Sequence, residues 1–259
     1  MTRRWLGTLF NKTYLRVALA VALIIVGLAP VGAIAVSDSS VQQALGRSES
    51  TAAATLMYRV GFDMGEAGVI VRSRDLGDTW ELAASLPEPI EQVEAAPADR
   101  MVAYARGQSA VWVTVDGGES WEQTRPLPSR PLALAVSPGD AMSVIVGTES
   151  LGLVQSNDRG LTWRAVAGGL PGQEAAALGV TALAVHPEDS RLVYVAAGYW
   201  LGTSQRRLTP AGVYMSVDGG RHWFLMEPAG PGSERVERLT PVAGYLTTVL
   251  RESASGTFI

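Results

Sequence analysis

Four aspartates, Asp75, Asp116, Asp158 and Asp218, recur in one setting. Each follows a hydroxyl side chain by two residues (Ser73, Thr114, Ser156, Ser216), precedes a glycine by two (Gly77, Gly118, Gly160, Gly220) and precedes a tryptophan by five (Trp80, Trp121, Trp163, Trp223). A carboxylate so repeated could ligate a metal or act as a general base, and His186 and His222 are the other candidates for such chemistry. The spacing favours a quieter use. A hydroxyl and a carboxylate two residues apart can bond the backbone N–H groups of their own turn, a glycine suits positive φ, and an indole can fold over the result. On that reading the aspartates brace turns. His186, before Pro187, and His222, beside the fourth tryptophan, pack against turns. With no cysteine and two histidines, neither a thiolate site nor a His-rich metal centre is available. No catalytic, cofactor-binding or metal-ligating residue is expected.

Such a turn closes a β-hairpin, so strands must flank it. Successive aspartates lie 41, 42 and 60 residues apart, and a second marker, Pro97-Ala98-Asp99, Pro138-Gly139-Asp140 and Pro187-Glu188-Asp189, precedes the next of them by 19, 20 and 31. The unit is therefore about 41 residues with two insertions, 165–179 and 198–212, a period that suits four-stranded propeller blades. Short apolar runs such as 132–136, 143–146, 180–185, 192–196 and 213–216 supply strands, and no long helical pattern competes. The first repeat is short at its front, and a remnant from 236 to 259 has no such turn. Both markers fall on one face of each sheet, and both insertions on the other.

The pattern Ser/Thr-x-Asp-x-Gly-x-x-Trp resembles the Asp-box, or BNR repeat, of sialidases, related glycoside hydrolases, the sortilin ectodomain and the assembly and stability factor of photosystem II. The resemblance implies that the box joins the third and fourth strands of a propeller blade as a structural device. Joined to the repeat count, it gives the expected fold: all-β, a small propeller of about five blades over residues 55–259 with four Asp-boxes. Sialidases also carry an Arg-Ile-Pro motif, absent here, and six blades. A sialidase-like glycoside hydrolase is thus the alternative. The favoured reading follows the likeness to the assembly factor and its bacterial relatives: a non-catalytic scaffold, accessory subunit or assembly factor of a photosynthetic or respiratory membrane complex.

The remaining expectations come from charge and hydropathy. Val17 to Val36 is a twenty-residue run without charge, long enough to cross a bilayer, and predicts one transmembrane helix. Basic residues precede it and the first acid, Asp38, follows it, which places 1–16 in the cytoplasm and everything beyond a 37–54 linker outside the cell membrane. Ala33-Ile34-Ala35 has the look of a cleavage site, but the apolar run exceeds a signal's usual length. Beyond residue 37 the charge is −8, which argues against nucleic acid as a partner. Twenty of the twenty-one basic residues are Arg, without a cluster along the chain, and read as compositional bias. The second insertion carries Tyr199, Trp200, Arg206 and Arg207, types enriched at interface hot spots, and is the expected docking loop for an integral membrane complex.

Overall fold

A computed structural model describes residues 56–61, 68–166, 170, 178–201, 207–230, 232–245 and 249–258, all within the compact unit Ala54–Ile259. The expected membrane span, the linker and Arg206 lie outside the described residues. Among those described, no helix is long and apolar enough to cross a membrane.

Among the described residues eighteen strands form five antiparallel sheets, each a meander of consecutive strands. The first holds β1 (Met57–Val60), β2 (Gly68–Ser73) and β3 (Glu81–Leu86). The second holds β4 (Ile90–Ala95), β5 (Ala103–Gly107), β6 (Val111–Thr114) and β7 (Glu122–Gln123). The third is β8 (Pro131–Val136), β9 (Val144–Thr148), β10 (Leu153–Ser156) and β11 (Arg164–Ala165). The fourth, with the longest strands, is β12 (Leu178–His186), β13 (Asp189–Leu201), β14 (Arg207–Ser216) and β15 (Phe224–Pro228). The fifth is β16 (Arg238–Pro241), β17 (Val249–Ser253) and β18 (Gly256–Phe258). Successive sheets pack face to face in chain order, β4 beside β8, β8 beside β12 and β12 beside β16, which is the radial layering of a β-propeller.

Burial explains which strands were legible. Each of the four sheet-to-sheet joints has its own apolar cluster, built around Ile70 and Ala105, around Tyr104 and Leu134, around Leu178 and Val195, and around Tyr194 and Val249. Strands β5, β8 and β9 are buried along their whole length, and apart from Arg106 of β5 and the terminal Thr148 of β9 they read as apolar runs. Outer strands β7 and β11 are two exposed residues each and carry no period at all. Such short edges also discourage pairing with other chains. Strand β4, Ile-Glu-Gln-Val-Glu-Ala, escaped the apolar pattern because its polar side chains are used between sheets.

All four recurrent turns share one hydrogen-bond scheme. In the third, Ser156 Oγ donates to Asp158 Oδ1 (2.7 Å) and accepts from Gly160 N (2.7 Å), while Asp158 accepts from Thr162 N (2.8 Å) and Thr162 Oγ1. Ser73, Thr114 and Ser216 do the same toward Gly77, Gly118 and Gly220. Those glycines and Gly160 sit at φ between 83° and 98°, where a Cβ is strained. The preceding position is also left-handed; it is Gly117 and Gly219 in two turns but Leu76 (φ 60°) and Arg159 (φ 59°) in the others. Each Pro-x-Asp turn is likewise braced, Asp99, Asp140 and Asp189 accepting from the N–H two residues on. The two turn types are tied together by Gly117 N to Met101 O, Arg159 N to Met142 O and Gly219 N to Arg191 O. They do occupy one face, as the spacing required.

The joints between sheets differ in kind. Trp163 donates to Arg125 O (2.9 Å) and Arg125 N donates to Gly160 O (2.8 Å), clasping the second sheet to the third. Between the first and second, buried Arg72 bonds Glu81 (2.7 Å), Glu119 (2.8 Å) and Gly117 O (2.7 Å), and exposed Arg74 bonds the same two carboxylates. Trp121 turns its ring edge-on to Tyr58 (6.0 Å) in that joint rather than bonding its own turn as Trp80 does.

Two substitutions probe the turns through the urea unfolding midpoint of the full chain. Ser156→Ala, which strips a buried hydroxyl of three bonds, should cost about 1–3 kcal/mol. Leu76→Gly should stabilise by up to about 1 kcal/mol, because the 70%-exposed side chain has little packing to lose and the strain is relieved.

Candidate functional site

The face opposite the recurrent turns carries what varies between sheets. There the second-to-third strand connections and the sheet-to-sheet links lie, because each sheet is an antiparallel meander. Two features dominate it.

The first is the fourth sheet's hairpin. Residues 198–212 were expected as a loop, but among the described ones strand pairing extends as far as Leu201 and Arg207: Tyr199 opposes Thr209, Trp200 opposes Leu208, and Leu201 opposes Arg207. A register shift at Ala197/Gly198 and Gly212 at φ 146° bend the ribbon where it leaves the sheet. The neighbouring sheet supports its base through a parallel bridge from Leu151 to Leu178. Of the expected docking residues, Tyr199 packs against the third-to-fourth-sheet core and is half-buried. Trp200 is also half-buried and lies over Gly179, where a Cβ would come within 2.8 Å of its Nε1. Arg207 is exposed, and so is Leu201, at 54%. The described part of the hairpin is therefore a two-stranded arm whose aromatic pair packs at its base and which presents Leu201 and Arg207.

The second feature is a cavity among the inner strands, about 290 Å³, lined by β4, β8, β12 and β16 together with Arg106 of β5. Arg106 is 8% exposed; it pairs with Glu91 and donates from Nε to Gln92 Oε1 (3.3 Å). Arg130 approaches the same Glu91 (3.6 Å). Burial, then repulsion from Arg130 and Arg235, holds the Arg106 pKa below its ordinary value against the pull of Glu91. Arg238 completes the rim. Arg106 and Arg238 thus meet across the cavity with Glu91 and Glu237, two guanidiniums beside two carboxylates. The sequence hid this because Arg106 lies on β5 and Arg238 on β16; the visible signal was the polar interruption Glu91, Gln92, Glu94 inside a strand-length segment.

Further along β4, side chains replace backbone pairing between sheets. Gln92 donates to Leu134 O (2.7 Å) and accepts from Leu134 N (3.2 Å), and Glu94 Oε1 accepts from Val136 N (3.1 Å). Glu94 is half-buried, its carboxyl packed against the neighbouring sheet. That burial raises its carboxyl from 4.5 to about 7, against the Val136 N–H, the Arg238 charge and Gln92. The turn aspartates move the other way. Bonds from Ser73 and Thr79 bring Asp75 down to about 2, and bonds from Thr162 and Ser156 bring Asp158 there too. Glu88, in the link between the first two sheets, accepts from Ser109 N and Oγ, Ala110 N and Trp112 Nε1; burial would raise its pKa, but these donors prevail and lower it.

The histidines are placed as turn residues: His186, fully buried, accepts at Nδ1 from Glu188 N (3.2 Å), and His222 Nδ1 meets Asp218 Oδ2 (2.6 Å). Among the described residues no group of three or more His, Cys, Asp or Glu could hold a metal ion.

No protein-family model matches the chain. It is 30% identical over 124 residues to a probable oligoxyloglucan-reducing end-specific xyloglucanase of Neosartorya fischeri, a match covering 44% of this chain but 14% of that protein. Among solved structures, an ancestral GH74 enzyme superposes with a TM-score of 0.52 at 24% identity, over 65% of this chain and 22% of that one, which shows the fold alone. A structure of YCF48 bound to D1 peptide reaches a TM-score of 0.34 at 15% identity, over 79% of this chain and 92% of that one, a level that does not mark a shared fold. The chain thus spans a small part of the enzymes it resembles.

Glu94 sets a pH dependence. A carboxyl raised in the folded state binds more protons there than when unfolded, so its contribution is full below pH 4.5 and is lost as pH rises toward about 7. Glu94→Gln keeps an acceptor for Val136 N. It should flatten the fall in melting temperature between these pH values and stabilise the neutral-pH protein by on the order of 1–3 kcal/mol.

Proposed function

We propose that the chain is a membrane-anchored Asp-box propeller of about five blades, held outside the cell membrane by residues 17–36, that binds a protein partner within a membrane complex and performs no catalysis. The observation that carries this reading is the fourth-sheet hairpin: a paired, buttressed arm that leaves Leu201 and Arg207 exposed on the face free of recurrent turns. An ordered arm loses little conformational entropy on docking, and an arginine beside an apolar side chain is a common interface anchor. The uncharged run from Val17 to Val36 supports the anchor, and the acidic remainder favours a protein over nucleic acid or anionic lipid.

A second reading, a glycoside hydrolase, is favoured by the partial match to the xyloglucanase and by Glu91 and Glu94 on one inner strand. The two separate cleanly. Extraction of the full chain from its own membranes in mild detergent should bring a large complex with it, and Leu201→Ser with Arg207→Glu should reduce that yield at least about tenfold at unchanged melting temperature. Elution of the wild type alone, with release of reducing ends from xyloglucan oligosaccharides or a fluorogenic sialoside, would replace the scaffold with the enzyme.

A further inference from the structure

The fifth sheet is one strand short. The second, third and fourth sheets have four strands each, and the fifth has β16, β17 and β18 among the described residues. Its β16 packs beside the inner strand β12, so the place left open is the outer one, next to β18. The edge of β18 is ready to pair there. Glu252 opposes Thr257, and the Glu252 carbonyl accepts from Glu237 N (2.8 Å) on the β16 side. In an antiparallel ladder such a pair points its backbone groups away from each other, so the N–H and C=O of Thr257 face outward. Neither makes a hydrogen bond among the described residues.

The wall beside that place is apolar where its counterparts are charged. The residue after the recurrent tryptophan is Glu81, Glu122 and Arg164 in the first three turns and Phe224 in the fourth. Phe224 opposes Met215, which packs in the joint between the fourth and fifth sheets, so both look toward the fifth. Phe224 is nonetheless 54% exposed. The fifth sheet reaches β15 further along, where Arg251 pairs with Glu227 (2.7 Å). Next to that pair, Pro228, Ala229 and Val236 meet Leu208 and Pro210 of the arm around a cavity of about 50 Å³. Strand β15 thus runs from Phe224 to the base of the arm, where Pro228 opposes Gly212, with an uncovered place alongside it.

We propose that an extended segment of the partner protein supplies the outer strand of the fifth sheet, pairing with Thr257 and covering Phe224. The proposal rests on the docking role above and states how that partner binds. Strand addition takes affinity from main-chain bonds and specificity from alternate side chains. Phe224 to Pro228 spans about 13 Å at roughly 3.3 Å per residue, so about five residues of the partner are enough. One is apolar, to cover Phe224, and one is small and apolar, to enter the cavity beside Pro228 and Ala229. A second copy of this chain is a poorer occupant. Strand β18 is 3 residues long, and pairing two such edges buries far less than the roughly 1,000 Å² of a stable interface.

The test places photoreactive benzoylphenylalanine at position 224 of the full chain in its own membranes, followed by irradiation, extraction in mild detergent and mapping of the adduct. The label should join one short segment of a co-extracted subunit. Thr257→Pro, which removes the outward N–H, should lower that yield at least about fivefold at unchanged melting temperature. If Thr257→Pro disturbs the hairpin, Phe224→Ser decides instead: it should lower recovery of the complex at least about fivefold and leave the melting temperature of the isolated chain unchanged. A label that joins a second copy or another part of this chain, no label on a complex that does co-extract, or full yield in either folded variant overturns strand addition. Where Leu201→Ser with Arg207→Glu still loses the complex in such a case, the arm stands without it. A wild type that extracts alone overturns both.

Discussion

The constraint on which the array depends is the double role of one buried hydroxyl per repeat. Ser73, Thr114, Ser156 and Ser216 are each about 1% exposed or less, and each must donate to an aspartate while accepting from the N–H of a left-handed glycine. With the hydroxyl, carboxylate and glycine fixed relative to one another, the turn has one shape, and the outer strand must leave in one direction. A buried donor or acceptor left unmet costs more than a typical bond contributes, so the scheme enforces itself through the penalty for its alternatives. Outer strands of two residues, β7 and β11, can then exist at all. Their own pairing is too short to hold them, and the turn supplies the order.

This repetition on one face leaves the other free to vary. On the turn face nearly every carboxylate is consumed locally, Asp99 and Asp140 by the N–H two residues on, Asp158 by three separate donors. On the opposite face the arrangement changes from sheet to sheet: Glu88 caps the turn of its neighbour, the fourth sheet grows an arm, and Arg106 and Arg238 meet Glu91 and Glu237 round a cavity. Strength and recognition are thereby assigned to different ends of the same strands, which is how a repeat scaffold acquires a specific surface without altering its core.

What could be read beforehand follows the same division. The recurrent turns, the Pro-x-Asp turns and the shared face were visible because local chemistry determines them: a serine, an aspartate and a glycine in contact are also near neighbours in sequence. Buried strands such as β8 were visible as apolar runs. Strand β4 was not, since Gln92 and Glu94 satisfy backbone groups of Leu134 and Val136 in the next sheet, a reason for being polar that no periodicity records. Tyr199 and Trp200 were marked out by type alone, and the structure turns both toward Gly179 and the core, leaving Leu201 as the exposed apolar residue. Arg106 and Arg238 lie 132 positions apart in the chain. Only the closing of sheet upon sheet brings them together.

The ionic joint between the first and second sheets has its own consequence. Its apolar cluster is the smallest of the four, and Arg72, Arg74, Glu81 and Glu119 make up the difference. Charge attraction weakens with dissolved salt where water reaches it, as it does at Arg74, whereas contact between apolar surfaces does not. The grip on the opening sheet is consequently more adjustable by the surrounding medium than the grip between the third and fourth sheets, which rests on a large apolar cluster, so fraying under stress would start at that margin and spare the arm beyond it.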